Sequence, residues 1–313
     1  MPLDDATRAF LENGNRNPPP PPGSLELSVF RSALDGFRDI SWDREELAEV
    51  RDVEVPVPGQ DAVTVRLYRP EADGPLPLVI NIHGGSWVRL SVGQQDLYYR
   101  ALANRSRCLI AAVEYTLAPE SQLPGAIEET IAVGHWAREH AAEIGADPAR
   151  IGLMGESSGG NVAAAATHIA RDRGDQPWTH QILFIPCLDV RFDSDSWKEF
   201  GEGYLLRPDH LRWALEQYAP GVPATDPRLS PLLAEDLSNL PPALVISAEY
   251  DPLRDDGRRY AARLEEAGVP TRYVEVEGLI HHAVAVPKAI PSAVPALERI
   301  AGEIAGAMAG APV

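Results

Sequence analysis

The stretch "GLMGESSGGN" (residues 152–161) follows a short apolar run and leads into an alanine-rich one. Its centre, Gly155-Glu156-Ser157-Ser158-Gly159, fits G-x-S-x-G. A serine in that setting sits on a sharp strand-to-helix turn. Larger side chains at the flanking positions would collide with the backbone, which is why glycine stands there. The helix that follows presents the positive end of its dipole to any oxyanion formed beside the serine. The small residues of "NVAAAAT" (161–167) let that helix pack closely on a sheet. The pattern therefore predicts an α/β fold with Ser157 exposed at a strand end.

The surrounding sequence has the same rhythm. "RDVEVPVP" and "DAVTVRLYRP" alternate polar and apolar residues on either side of Gly59-Gln60, which predicts a β-hairpin. Six later runs are apolar without alternating: 77–83, 108–115, 150–155, 181–187, 243–249 and 271–278. Runs of this kind suit strands covered on both faces. Helical patterns at 95–106, 124–143, 158–172, 256–267 and 289–309 separate them. Strand–helix alternation predicts a mostly parallel, mixed sheet of about eight strands flanked by helices. Two short amphipathic helices, 3–13 and 25–37, precede this region with the spacer "NPPPPPG" (17–23) between them. Residues 188–239 interrupt the rhythm, and an insertion of that length is often a lid. The expected division is N-terminal cap helices at 1–48, a catalytic domain at 49–187 and 240–313, and a cap insertion at 188–239.

Composition narrows the function. The 313 residues carry a formal charge of −18, with 46 acidic and 28 basic side chains. Nucleic acid and anionic membranes would be repelled. No apolar stretch approaches a membrane span, and the N-terminus lacks the apolar core of a signal peptide, so a cytoplasmic protein is expected. The two cysteines, Cys108 and Cys187, lie in apolar runs and read as buried thiols.

Three further segments carry chemistry. "INIHGGSW" (80–87) ends a strand, and its glycines let backbone N–H groups converge on a small volume. Gly84, Gly85 and Ser86, with Ser158 from the elbow, are the expected oxyanion donors, and His83 is expected to orient the loop. "ALVISAEYDPLRDDG" (243–257) puts carboxylates at a strand end, with Asp251 and Asp255 both in a position to receive a histidine. "GLIHHA" (278–283) offers His281 and His282 just past the last strand. Serine, acid, histidine is the α/β-hydrolase order, and each lies beyond the end of a different strand.

These segments together resemble the hormone-sensitive-lipase group of carboxylesterases, a branch of the α/β-hydrolases. "HGGSW" resembles that group's H-G-G-G-W, "GESSGGN" its G-D-S-A-G-G-N, and "VEYTLAPE" (113–120) its V-D-Y-R-L-A-P-E. "YDPLRDDG" resembles its D-P-L-x-D, and "GLIHHA" its G-x-x-H-G-F. The resemblance implies the α/β-hydrolase fold with a helical cap, and catalytic roles for Ser157, Asp251 and His281. It implies short- to medium-chain acyl esters as substrates, with no metal or organic cofactor. His282 and Ala283 depart from the group's glycine and phenylalanine, and Ser86 from its third glycine. Trp87, Tyr204, Leu205, Leu206 and His282 are the expected pocket residues. A homodimer is compatible with this reading. An acyltransferase or lactone-forming or lactone-opening enzyme would use the same acyl-enzyme, and a small-molecule binder would need no chemistry at all.

Overall fold

A computed structural model describes residues 2–310. The N-terminal segment forms three helices: α1 (Asp5–Arg16), α2 (Leu27–Ser32) and α3 (Phe37–Ile40). The side chain of Asp4 accepts from the Thr7 N–H at 2.7 Å and caps α1. Sequence periodicity predicts one helix over 25–37. The chain instead turns at Ala33–Gly36, where Asp35 and Gly36 are weak helix formers.

Eight strands follow: β1 (Glu49–Val55), β2 (Val63–Arg69), β3 (Leu76–Ile82), β4 (Leu109–Glu114), β5 (Ala146–Glu156), β6 (His180–Phe184), β7 (Ala243–Tyr250) and β8 (Thr271–Ile280). They form one sheet in the order β1-β2-β4-β3-β5-β6-β7-β8. β1 and β2 are the expected antiparallel hairpin, with Val55 opposite Val63. β2 meets β4 antiparallel, and every later pairing is parallel. The intervening helices are α4 (Asp96–Ser106), α5 (Gly125–Glu139), α6 (Ser158–Asp172), α7 (Asp195–Phe200), α8 (Pro208–Tyr218), α9 (Arg254–Glu266) and α10 (Ala293–Met308).

The non-alternating runs have a simple cause. Both faces of the sheet are buried, in two separate apolar clusters. Leu109, Ala111 and Val113 of β4 point into one, with Ile127 of α5, Val162 of α6 and Leu264 of α9. Ile110 and Ala112 point into the other, with Leu102 of α4 and Leu297 of α10. Apolar residues therefore fill most positions on both faces, with a few buried polar ones such as Asn81 and Glu156. Cys108 and Cys187 are buried and free.

Residues 188–239 carry α7 and α8, and the N-terminal helices pack against them. Phe30 of α2 stands edge-on to Trp213 of α8 at 5.3 Å, and Asn15 donates to the Gly203 carbonyl at 3.2 Å. Arg31 ties α2 to the sheet's loops: its guanidinium donates to the carbonyls of Val88 and Ala118 and forks onto Glu120. Among the described residues, no helix is long and apolar enough to cross a membrane.

Candidate active site

Ser157 lies between β5 and α6 with φ 55° and ψ −117°, a region that non-glycine residues seldom enter. The glycines around it have no room for a side chain. A Cβ on Gly155 would fall 2.1 Å from the Gly159 carbonyl oxygen, and one on Gly159 would fall 2.1 Å from that of Ile82. The turn is thus wedged between β3 and α6, and the serine takes the strained position.

His281 is the first residue after β8 and Asp251 the first after β7. His281 Nδ1 lies 2.7 Å from Asp251 Oδ2, and His281 Nε2 lies 3.1 Å from Ser157 Oγ. A carboxylate only accepts, so the Nδ1–H donates to Asp251 and Nε2 is left to accept from the serine hydroxyl. Asp251 is fully buried, and its other oxygen accepts the Leu253 N–H at 2.9 Å.

The other strand-end carboxylates are engaged elsewhere. Asp255 accepts the Ser196 N–H, tying α9 to α7. Glu249 accepts the Gly278 N–H at 2.6 Å, which fixes the approach to His281.

The loop after β3 presses on the elbow. A Cβ built on Gly84 would lie 3.2 Å from that of Ser157. The Trp87 N–H donates to Ser158 Oγ at 3.3 Å, tying the loop to the start of α6. Ser86 and Trp87 both have positive φ, at 55° and 62°. Among the described residues, none accepts a hydrogen bond from the N–H of Gly84, Gly85 or Ser158. His83 is fully buried. Its Nδ1–H donates to the Gly84 carbonyl at 2.7 Å, its ring stacks on Tyr115, and burial lowers its pKa to about 4. A neutral, fixed imidazole suits a part in loop orientation.

The five expected pocket residues stand in different surroundings. Trp87 is fully buried and stacks on Tyr218 at 5.3 Å. Tyr204 stacks on Tyr250, Leu205 is exposed with φ 71°, and Leu206 packs on the opposite core from Tyr204. His282 adopts φ 58°, a conformation that favours glycine. Its Nε2 receives the Gln95 amide at 3.1 Å, and its Nδ1 lies 3.9 Å from Glu156 Oε2. Gln95 accepts in turn from Tyr99, whose hydroxyl accepts from Asn81. Burial lowers the His282 pKa first, and neighbouring His281 and Arg89 lower it further. Sequence reading missed Gln95 at the start of α4, Tyr99 on α4 and Asn81 on β3, which no motif marks.

Glu156, the residue before the serine, is fully buried beside Asn81 and Tyr98, and burial raises its pKa to about 8. Among the described residues, no cluster of three or more histidine, cysteine or acidic side chains could hold a metal ion.

Residues 79–285 match the family model described as alpha/beta hydrolase fold. The chain belongs to the hormone-sensitive-lipase group of α/β-hydrolase carboxylesterases. An arylesterase of Saccharolobus solfataricus is 33% identical over 92% of this chain and 94% of its own length. The carboxylic ester hydrolase LipN of Mycobacterium tuberculosis is 39% identical over 86% of this chain and 78% of its own. Among solved structures, an ester hydrolase from the metagenome of Lake Arreo superimposes with a TM-score of 0.91 at 38% identity, covering 98% of this chain and 99% of that one. A hyperthermophilic esterase from Pyrobaculum calidifontis gives 0.88 at 33%, with the same coverage. Membership makes the chain a carboxylic ester hydrolase.

Proposed function

We propose that the chain is a serine carboxylesterase acting through Ser157, His281 and Asp251 by way of an acyl-enzyme. The observation that carries this reading is the unbroken contact from Asp251 Oδ2 to His281 Nδ1 at 2.7 Å and from His281 Nε2 to Ser157 Oγ at 3.1 Å. His281 takes the serine proton as the hydroxyl attacks the ester carbonyl. Asp251 holds the imidazole in the tautomer that can accept it and stabilises the imidazolium. The N–H groups of Ser158 and of Gly84, Gly85 or Ser86 receive the oxyanion. His281 then returns the proton to the leaving alcohol, and water releases the acyl group by the same steps reversed.

The N-terminal helices and residues 188–239 form the cap in this reading, supported by the packing of Phe30 on Trp213. Acyl chains of short to medium length are the expected substrates. Ser86 keeps its N–H but adds a side chain on the alcohol side, which disfavours esters of tertiary alcohols.

Hydrolysis of p-nitrophenyl esters from acetate to palmitate, by the wild type and Ser157→Ala, tests the reading. Turnover of short chains that the variant loses supports it. A variant as active as the wild type would sink the Ser157 assignment.

A further inference from the structure

Among the described residues, none forms an ion pair with the guanidinium of Arg89. It lies in the loop after β3, two residues beyond Trp87, and is only partly exposed. Among the described residues, every other buried or half-buried arginine donates to a carboxylate or carbonyl. Arg100 bonds Asp96, Arg105 bonds Glu45, Arg254 bonds Asp255, and Arg263 bonds the Leu232 and Ala234 carbonyls. Among the described residues, the Arg89 side chain makes no hydrogen bond or ion pair, although the chain has 46 acidic residues to draw on. Its guanidinium lies over the Phe30 ring at 5.1 Å. That contact uses the flat face of the cation and leaves the N–H edge uncommitted.

The position is close to the reacting centre. The Arg89 backbone is packed against the oxyanion loop, since a Cβ on Gly85 would fall 2.0 Å from the Arg89 carbonyl oxygen. Its charge is felt on two sides, by His282 in the loop after β8 and by His210 of α8. His210 belongs to the same group, its ring 6.5 Å from Phe30. The Arg89 guanidinium and the His210 ring thus both flank Phe30, where the oxyanion loop meets α2 and α8. A half-buried cation without a counter-charge is less well solvated than one in water, and an anionic ligand can supply that charge.

We propose that Arg89 binds a carboxylate carried by the substrate, so that this enzyme's preferred esters bear an anionic group. The proposal rests on the esterase mechanism given above and adds the substrate class. A planar guanidinium edge matches a carboxylate in two parallel hydrogen bonds. It also offsets locally the repulsion that a charge of −18 imposes on an anionic substrate. The carboxylate could stand on the acyl or the alcohol side of the ester, and the test separates them.

Two matched pairs are assayed. For the acyl side, p-nitrophenyl hydrogen glutarate is compared with p-nitrophenyl valerate. For the alcohol side, 4-acetoxybenzoate is compared with 4-methylphenyl acetate. The quantity read is the ratio of kcat/KM for the charged ester to that for its neutral partner, in the wild type, Arg89→Gln and Arg89→Lys. Dividing the wild-type ratio by the variant ratio removes intrinsic differences in ester reactivity. Arg89→Gln is expected to lower the ratio by about 10- to 100-fold in one of the two pairs. Arg89→Lys keeps the charge without the fork and should retain a larger part of it. Ratios that agree within about twofold in both pairs, or equal losses on charged and neutral esters, overturn the proposal and leave Arg89 a packing residue. Neutral esters turned over without charge discrimination refute only this proposal. A wild type inert toward all four esters would defeat the esterase reading and this one with it.

Discussion

Glu156 allows a quantitative test of how the nucleophile turn is built. Its carboxyl group is fully buried, with Asn81 and Tyr98 as its polar neighbours, and burial raises its pKa from 4.5 to about 8. Between those two values the folded chain keeps a proton that the unfolded chain has released. The native state therefore binds more protons, and stability falls as pH rises from about 4.5 to about 8. At about 1.4 kcal/mol per pH unit, that interval sets a ceiling of about 5 kcal/mol on the loss, and relaxation around the site brings the expected value nearer 2.

Glu156→Gln has the shape of the neutral acid and carries no proton to lose. Its amide can still hydrogen-bond with Asn81 and Tyr98, the polar side chains beside Glu156. The variant should match the wild type within about 1 kcal/mol at pH 5 and exceed it by about 2 kcal/mol at pH 8. For a chain of this length that is a gain of roughly 4 °C in Tm, confined to the higher pH. Calorimetric unfolding of both proteins at pH 5, 6, 7 and 8 measures it. Parallel Tm curves across that range would refute the reasoning, because they would mean that Glu156 ionises alike in both states.

Asp251→Asn should leave the fold intact and lower kcat by about 10⁴, since an amide can hold His281 in the wrong tautomer; single-turnover kinetics check this. Ser157→Ala and His281→Ala should each cost several orders of magnitude, and the double variant should cost little more than either alone. Gly159→Ala places a Cβ 2.1 Å from the Ile82 carbonyl oxygen and should destabilise by about 1–3 kcal/mol or more, read by urea unfolding. Ser86→Gly should raise the rate on a tertiary-alkyl acetate relative to ethyl acetate; an unchanged ratio would clear Ser86 of crowding the alcohol side.

Much of this molecule could be read from its sequence, because the deciding signals are local. The strained turn at Ser157 needs glycines within a few residues of it. A strand buried on both faces shows its non-alternating run wherever it lies. Each residue of the Ser157–Asp251–His281 contact directly follows a strand, so order along the chain already marked their common edge of the sheet. The helix boundaries were less legible. The segment 25–37 has the right periodicity, yet it breaks at Asp35-Gly36, where backbone cost exceeds the apolar gain.

Tertiary structure alone decided which of several chemically equivalent groups meet. Asp251 and Asp255 stand four residues apart beside the same strand end, and only the packed loops turn one toward His281 and the other toward Ser196. His281 and His282 are neighbours in sequence, but a left-handed turn at His282 sends its ring to Gln95. The buried Glu156 and Arg89, which lacks an ion-pair partner among the described residues, are likewise invisible in one dimension. Each is defined by what surrounds it, and those surroundings are assembled from β3, α2, α4, α8 and the loop after β8. Sequence determines the turns and faces that a residue's own neighbours enforce, while the pairing of polar groups across the fold depends on distances that exist only once the chain has packed.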